Sequence, residues 1–216
     1  MTEAKCLADS EVDISPLSGK RIAILGYGSQ GRAQALNLRD SGYHPTIGIR
    51  KGKSYERAIA DGFSPTSVED ATSESNLIVV LTPDETQPLL LKNSILPYLR
   101  QGSFVCFATG LNLYFGRLSL PEYLNVFMVA PKGPGHILRA RFLQGSGIPA
   151  IVAAYREDEE SLKVALAYSK AIGCTRVGVI VSTVREEAIA DLFGEQCVLA
   201  GGLVELMKNA FEVLVE

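Results

Sequence analysis

The sequence predicts an α/β fold: a mainly parallel sheet with helices on both faces, followed by a short all-helical C-terminal fragment. Three observations carry the prediction. Apolar runs of strand length recur along the chain, and the run 77–81 (LIVVL) is apolar throughout, as expected of a strand buried on both faces. These runs alternate with segments of helical spacing, the order that builds a parallel sheet. After Ser182 the strand signal stops and helical spacing alone remains.

Residues 1–19 read as a lead-in that ends in the turn signals Ser15-Pro16 and Ser18-Gly19. The first strand, 22–25, runs into a glycine-rich turn in which Gly26, Gly28 and Gly31 have G-x-G-x-x-G spacing. An alanine- and leucine-rich helix follows, with Ala33, Ala35, Leu36 and Leu38. Strand, tight turn and helix in that order are the context a dinucleotide-binding, Rossmann-type unit requires. Gly26 permits the turn, Gly28 lets backbone approach a pyrophosphate, and Gly31 lets helix pack on strand. Free N–H groups at the helix start then face the phosphates. The alternative is a βα turn without a ligand.

The second strand, 45–49, leads into Arg50, Lys51, Gly52, Lys53 and Ser54. An acidic residue at this point would hold a ribose 2′-hydroxyl, whereas cations suit a 2′-phosphate. Arg50, Lys53 and Ser54 therefore predict NADP(H) over NAD(H). The competing reading is a solvated basic turn. A short helix is expected at 55–61 and a helical turn at 68–72. The strand 77–81 ends in Thr82-Pro83-Asp84-Glu85, with Pro83 near the start of the next helix. Further strands are expected at 104–107, 126–130, 150–155 and 177–181, a helix at 159–172, and two terminal helices at 184–193 and from 198 onward.

Composition narrows the function class. With 216 residues the chain can bury a full core, and 47% hydrophobic with 21% charged residues is ordinary for a globular protein. A net charge of −3 gives no concentrated basic face, so no nucleic-acid partner is expected. No apolar run approaches the ~20 residues that span a bilayer, so no membrane partner is expected either. Cys6, Cys106, Cys174 and Cys197 are scattered, form no C-x-x-C, and read as small buried hydrophobes in a reducing compartment. With an acidic, mixed N-terminus unlike a signal peptide, this predicts a cytoplasmic protein.

Four stretches together resemble the ketol-acid reductoisomerase (acetohydroxy acid isomeroreductase) family. They are GYGSQGRAQALNLRDSG at 26–42, LTPDETQ at 81–87, APKGPGH at 130–136 and DLFGEQCVLAGGLVELMKNAFEVLVE at 191–216. The resemblance covers about residues 15–216, as the family's N-terminal part. It implies a cofactor unit at 1–182 and, at 183–216, the truncated start of a helical, knotted-type C-terminal domain. It implies NADPH and Mg²⁺ as cofactors. The implied substrates are 2-hydroxy-3-keto acids, 2-acetolactate or 2-aceto-2-hydroxybutyrate, converted to dihydroxy acids in valine, leucine and isoleucine biosynthesis. Alkyl migration needs a Lewis acid on the two substrate oxygens, and reduction needs the nicotinamide over the same carbon.

The same resemblance implies site residues. Tyr27, Ser29 and Gln30 line the phosphate turn. Asp84, Glu85, Thr86 and Gln87 lie near the cofactor. Gly135 lets backbone pass close to it. Lys132, at the carboxyl end of a strand, contacts metal-bound carboxylates or substrate oxygens. Asp191 and Glu195 are the metal ligands; four apart on a helix they share a face, and hard oxygens suit Mg²⁺. Taken alone, such an acidic pair is more often a solvated face. His136 belongs to the motif without reading as a general base.

Two departures limit what carries over. Where the family has Phe-Ala-His-Gly, this chain has Phe107-Ala108-Thr109-Gly110, and a histidine titrates near neutral pH whereas a threonine hydroxyl does not. The family also continues into a helical domain that supplies two further metal carboxylates and a substrate-binding serine. The apolar face of the last helix then expects cover from a second copy (a homo-oligomer) or from a full-length paralogue. Three readings follow: a short reductoisomerase that acts with help, a catalytically impaired NADP-binding remnant, or a metal-free reductase of simpler ketones or imines.

Overall fold

A computed structural model describes residues 5–156 and 158–215. Its strands are β1 (Lys5–Leu7), β2 (Ile22–Leu25), β3 (Thr46–Gly48), β4 (Leu77–Val80), β5 (Phe104–Phe107), β6 (Asn125–Pro131), β7 (Ala150–Ala154) and β8 (Val179–Val181). They form one 8-stranded sheet in the order β1-β8-β7-β6-β5-β4-β2-β3. From β3 through β2, β4 and β5 to β6 every pairing is parallel. The chain then reverses: β7 lies antiparallel to β6, β8 parallel to β7, and β1 antiparallel to β8. The predicted α/β fold with a mainly parallel sheet is therefore the observed one.

The helices are α1 (Ser29–Asp40), α2 (Lys53–Ala60), α3 (Val68–Glu74), α4 (Gln87–Leu90), α5 (Leu111–Tyr114), α6 (Gly135–Leu143), α7 (Glu159–Ala171), α8 (Val184–Phe193) and α9 (Gly202–Val215). Their starts follow from local chemistry. Ser67 caps α3 by accepting from Asp70 N, Asp158 caps α7 through Glu160 N and Ser161 N, and Thr183 caps α8 through Glu186 N. No described helix is long and apolar enough to cross a membrane.

The pleat divides the core into two layers. Ile22, Ile24, Leu77, Val79, Phe104, Cys106, Phe127 and Val129 point to one face, together with Leu38 of α1 and Val164 and Tyr168 of α7. Ala23, Leu25, Ile78, Val80, Val105, Phe107, Val126 and Met128 point to the other, with Ala71 of α3, Leu91, Ile95 and Leu113 of α5. Burying each large aliphatic side chain contributes about 1.5–3 kcal/mol, and this fixes the strand register.

Three sequence expectations need correction. The lead-in holds β1 and two 3₁₀ turns, Asp9–Glu11 and Ser15–Leu17, with Leu17 fully buried. Three residues with one buried side chain are too short for periodicity to reveal. Only Cys106 and Cys174 are buried, while Cys6 and Cys197 are exposed. Burial pushes the Cys106 thiol up and that of Cys174 to about 12, so both are inert at neutral pH. The terminal helix does not start at residue 198. A π-helical segment, Gly194–Leu199, follows α8, and α9 begins at Gly202. Leu203, Val204, Leu206, Met207, Phe211 and Leu214 of α9 are all at least half exposed.

Candidate active site

Parallel strands deliver their following loops to one edge of the sheet, and five loops meet there. The first is the turn after β2. Gly26 has φ +101, and a Cβ on it would lie 2.7 Å from Leu81 O. A Cβ on Gly31 would lie 2.2 Å from Gly26 O, so only glycine allows α1 to start this close to the strand. Gly28 differs: nothing lies within 4 Å of where its Cβ would be. No side chain caps the first turn of α1. Beside Gly26, the Thr82 hydroxyl is buried without a hydrogen-bond partner among the described residues. An open cradle, free helix N–H groups and an orphaned hydroxyl fit a dinucleotide phosphate.

The side chains of this turn are spent on structure. Tyr27 is buried and donates to Asp61 Oδ2 at 3.0 Å. Arg32 holds the same carboxylate in a two-pronged bond, Nε to Oδ2 at 2.6 Å and Nη2 to Oδ1 at 2.8 Å. The Arg32 bond, set against partial burial and helped by Tyr27, lowers the Asp61 carboxyl below its usual range. Burial, with the bond to Asp61, raises the Tyr27 phenol. Ser29 Oγ accepts from Gly135 N at 3.1 Å, and Gln30 Nε2 donates to Gly133 O at 2.8 Å. The close approach at Gly135 is to α1: a Cβ there would lie 2.1 Å from Ser29 O.

The second loop follows β3. Arg50, Lys51 and Lys53 are exposed and have no ion-pair partner among the described residues, and Ser54 is half-buried in the first turn of α2. The helix thus begins at Lys53, two residues before the predicted start. β3 lies next to β2, so this basic segment flanks the glycine turn.

The loops after β4 and β5 interlock. Asp84 Oδ1 accepts from Gln87 Nε2 at 2.9 Å and from Thr109 Oγ1 at 3.2 Å. Asn112 Nδ2 donates to Asp84 O and Gln87 Oε1. Half-buried, the Asp84 carboxyl is raised by desolvation, against which the Thr109 and Gln87 bonds act. Glu85 and Thr86 lie in the 3₁₀ turn Asp84–Thr86, and Thr86 Oγ1 donates to Pro83 O.

The loop after β6 carries Lys132, whose Nζ donates to Glu187 Oε1 at 2.5 Å and Asp191 Oδ1 at 2.7 Å. Burial acts against the ammonium, but the bonds to Asp191 and Glu187 outweigh it and raise its pKa. Glu187 has no exposed surface, and its Oε2 accepts from Gly110 N at 2.6 Å. A Cβ on Gly110 would lie 2.8 Å from that oxygen, so glycine lets α8 close over the edge. Glu187 joins the cluster without having been expected from the sequence. Its signal was available, since Glu187, Asp191 and Glu195 repeat at helical spacing. The π-helical segment then changes the phase, and the Glu195 carboxylate is exposed without an ion-pair partner among the described residues.

A Mg²⁺ site is testable on this donor set. Carboxylate oxygens are the right kind of ligand. The number falls short. Both Glu187 oxygens and one of Asp191 are already engaged, and no group of three or more potential ligands comes together among the described residues.

Comparison with known proteins gives this edge a context. The profile described as acetohydroxy acid isomeroreductase, NADPH-binding domain, matches residues 16–178. The chain belongs to the ketol-acid reductoisomerase family. A second profile, ketol-acid reductoisomerase, C-terminal domain, matches residues 184–216. The ketol-acid reductoisomerase (NAD(P)(+)) of Metallosphaera sedula is 48% identical over 99% of this chain and 64% of its own length. The ketol-acid reductoisomerase (NADP(+)) of Pyrobaculum islandicum is 50% identical over 99% of this chain and 65% of its own. The chain thus spans less than two thirds of the length of these curated relatives. An NADH-preferring ketol-acid reductoisomerase from an uncultured archean is similar at TM-score 0.92 and 45% identity, over 98% of this chain and 66% of that one. Likeness to an imine reductase from Myxococcus stipitatus, TM-score 0.60 at 17% identity, shows the fold alone.

Proposed function

We propose that the protein provides the NADPH-binding and substrate-facing part of the ketol-acid reductoisomerase reaction on 2-acetolactate or 2-aceto-2-hydroxybutyrate, in branched-chain amino acid biosynthesis. The observation that carries the reading is the meeting, at one sheet edge, of the open glycine turn with the Lys132–Glu187–Asp191 cluster. In this reading the first turn of α1 holds the pyrophosphate, and Arg50, Lys51, Lys53 and Ser54 face the 2′-phosphate. Bound NADPH supplies the hydride. Glu187 fixes the Lys132 ammonium, which contacts the substrate's oxygens and favours negative charge developing there. Thr109 gives its hydrogen to Asp84 and cannot serve as a neutral-pH proton carrier. Mg²⁺, held in part by Asp191 and Glu195, would supply Lewis-acid polarisation of the ketol oxygens. Among the described residues the donors are too few to complete a Mg²⁺ shell.

The reading divides the chain into a cofactor unit at 1–182 and the start of a helical unit at 183–216, and the two matched profiles meet near that boundary. It assigns the exposed apolar side chains of α9 to contact with a second copy or a full-length paralogue. Four free cysteines accord with a reducing compartment such as the cytoplasm.

A second reading, a catalytically impaired NADP-binding remnant, is favoured by Thr109, which bonds Asp84 where the family has a histidine. One experiment separates the two. Purified residues 1–216 are titrated with NADPH and then given Mg²⁺ and 2-acetolactate. Acetolactate-dependent NADPH oxidation supports the enzyme. Binding without turnover supports the remnant. No binding of NADPH sinks both.

A further inference from the structure

Gln30 sits in the phosphate turn, yet its side chain is committed elsewhere. The phenol of Tyr168 donates to Gln34 Oε1 at 2.6 Å, Gln34 Nε2 donates to Gln30 Oε1 at 3.1 Å, and Gln30 Nε2 donates to Gly133 O at 2.8 Å. Tyr168 and Gln34 are buried, at 0% and 1% exposure. A phenol has one hydrogen to give, and an amide has one oxygen and one nitrogen end. Once Tyr168 donates, Gln34 must turn its nitrogen to Gln30, and Gln30 must turn its nitrogen to Gly133. The chain of donors therefore orients Gln30 from the core outward. Its last acceptor is the residue next to Lys132.

Two more ties close the same seam. Gly135 N donates to Ser29 Oγ, and the bare Cα of Gly135 lies against the Ser29 carbonyl. Lys132 N donates to Pro149 O on the far side of the loop. Loop 131–135 is thus clamped between the start of α1 and the start of β7.

We propose that Gln30 is a positioning residue for Lys132: it locks loop 131–135 to the phosphate turn, so that a cofactor held by the turn also holds the lysine in register with Glu187 and Asp191. The proposal rests on the functional reading above. It assigns Gln30 to the loop instead of to the cofactor that the resemblance implied.

The test is hydrogen exchange by mass spectrometry on peptides covering 126–138, with and without saturating NADPH. It compares the wild type, Gln30→Ala, and the near-isosteric Gln30→Glu, which has no donor for Gly133 O. In the wild type NADPH should slow exchange of the Lys132 and Gly135 amides about tenfold. Both variants should lose that slowing while their NADPH Kd weakens by no more than about tenfold, the reciprocal of the lost slowing, ~1.4 kcal/mol. A merely structural role would raise exchange equally with and without cofactor. Retained slowing in either folded variant overturns the proposal, and so does a larger loss of affinity, which would make Gln30 a cofactor ligand. A wild type that binds NADPH with the loop unchanged overturns this proposal alone. A wild type that does not bind NADPH sinks the functional reading and this proposal with it.

Discussion

Lys132→Met removes an ammonium that lies 2.5 Å from Glu187 Oε1 and 2.7 Å from Asp191 Oδ1. The two arms differ in weight. Asp191 is 33% exposed and can rehydrate, so losing that arm costs under about 1 kcal/mol. Glu187 has no exposed surface and would keep only the Gly110 N–H bond. Breaking a buried pair costs about 3–5 kcal/mol, and the 30% exposure of Lys132 argues for the lower end, about 3 kcal/mol. Glu187→Gln keeps an oxygen for Gly110 N but turns an amide N–H toward the ammonium, at about 2 kcal/mol. In the double variant the amide faces a thioether, and the total should be about 3 kcal/mol instead of about 5, a coupling of about 2 kcal/mol. Urea unfolding at neutral pH, followed by far-UV circular dichroism because the chain has no tryptophan, reads all four proteins. The folded pKa of Lys132 is raised, so its contribution is complete below the unfolded lysine value, about 10.4, and is lost as pH rises through the folded value. Additivity within about 0.5 kcal/mol would refute the argument that Lys132 compensates a buried Glu187.

Other outcomes follow from the same geometry. Replacing Arg50 and Lys53 together with alanine should weaken NADPH about tenfold or more and leave NADH within about twofold, because only NADPH carries the 2′-phosphate; equal affinities of the wild type for the two cofactors in a fluorescence titration would defeat that assignment. Asp84→Asn keeps an oxygen for Thr109 and Gln87 while removing a carboxylate whose pKa burial raises. A raised acid destabilises above its folded pKa, so the variant should melt higher than wild type at pH 7.5, with the gap closing below the unfolded value near 3.9; a variant that melts lower at pH 7.5 contradicts this. Light scattering at rising concentration should show self-association that Leu206→Glu with Phe211→Glu reverses, since both side chains of α9 are 65% exposed; a strictly monomeric wild type counts against the docking role of that helix.

What the sequence could reveal follows from how far apart in the chain each feature's parts lie. The glycine turn was legible because its strand, bends and helix start lie within ten residues, and Gly26 and Gly31 each meet a steric demand while Gly28 leaves the cradle open. The apolar runs named the parallel strands because burial on both faces leaves no polar position in them. β1 was not legible, since its partner β8 lies more than 170 residues away. Glu187 stayed hidden because a glutamate in the first turn of a helix reads as a surface residue; only the Gly110 and Lys132 loops, 77 and 55 residues distant, bury it. The commitment of Gln30 to Gly133 crosses 103 residues and leaves no local mark. The bend at Gly194–Leu199 escaped because helical spacing does not distinguish a π-segment from an α-helix.

Titrating NADPH into the wild type and Gly31→Ala, and following the cofactor's own fluorescence, shows whether the turn at Gly26 to Gly31 holds NADPH. A Cβ at position 31 would sit 2.2 Å from Gly26 O and must force α1 away from the turn. The wild type should bind saturably and the variant at least about a hundredfold more weakly, a loss of ~2.7 kcal/mol, with its circular dichroism spectrum intact. A wild type without saturable binding, or a folded variant that binds as tightly, would contradict that role of the turn.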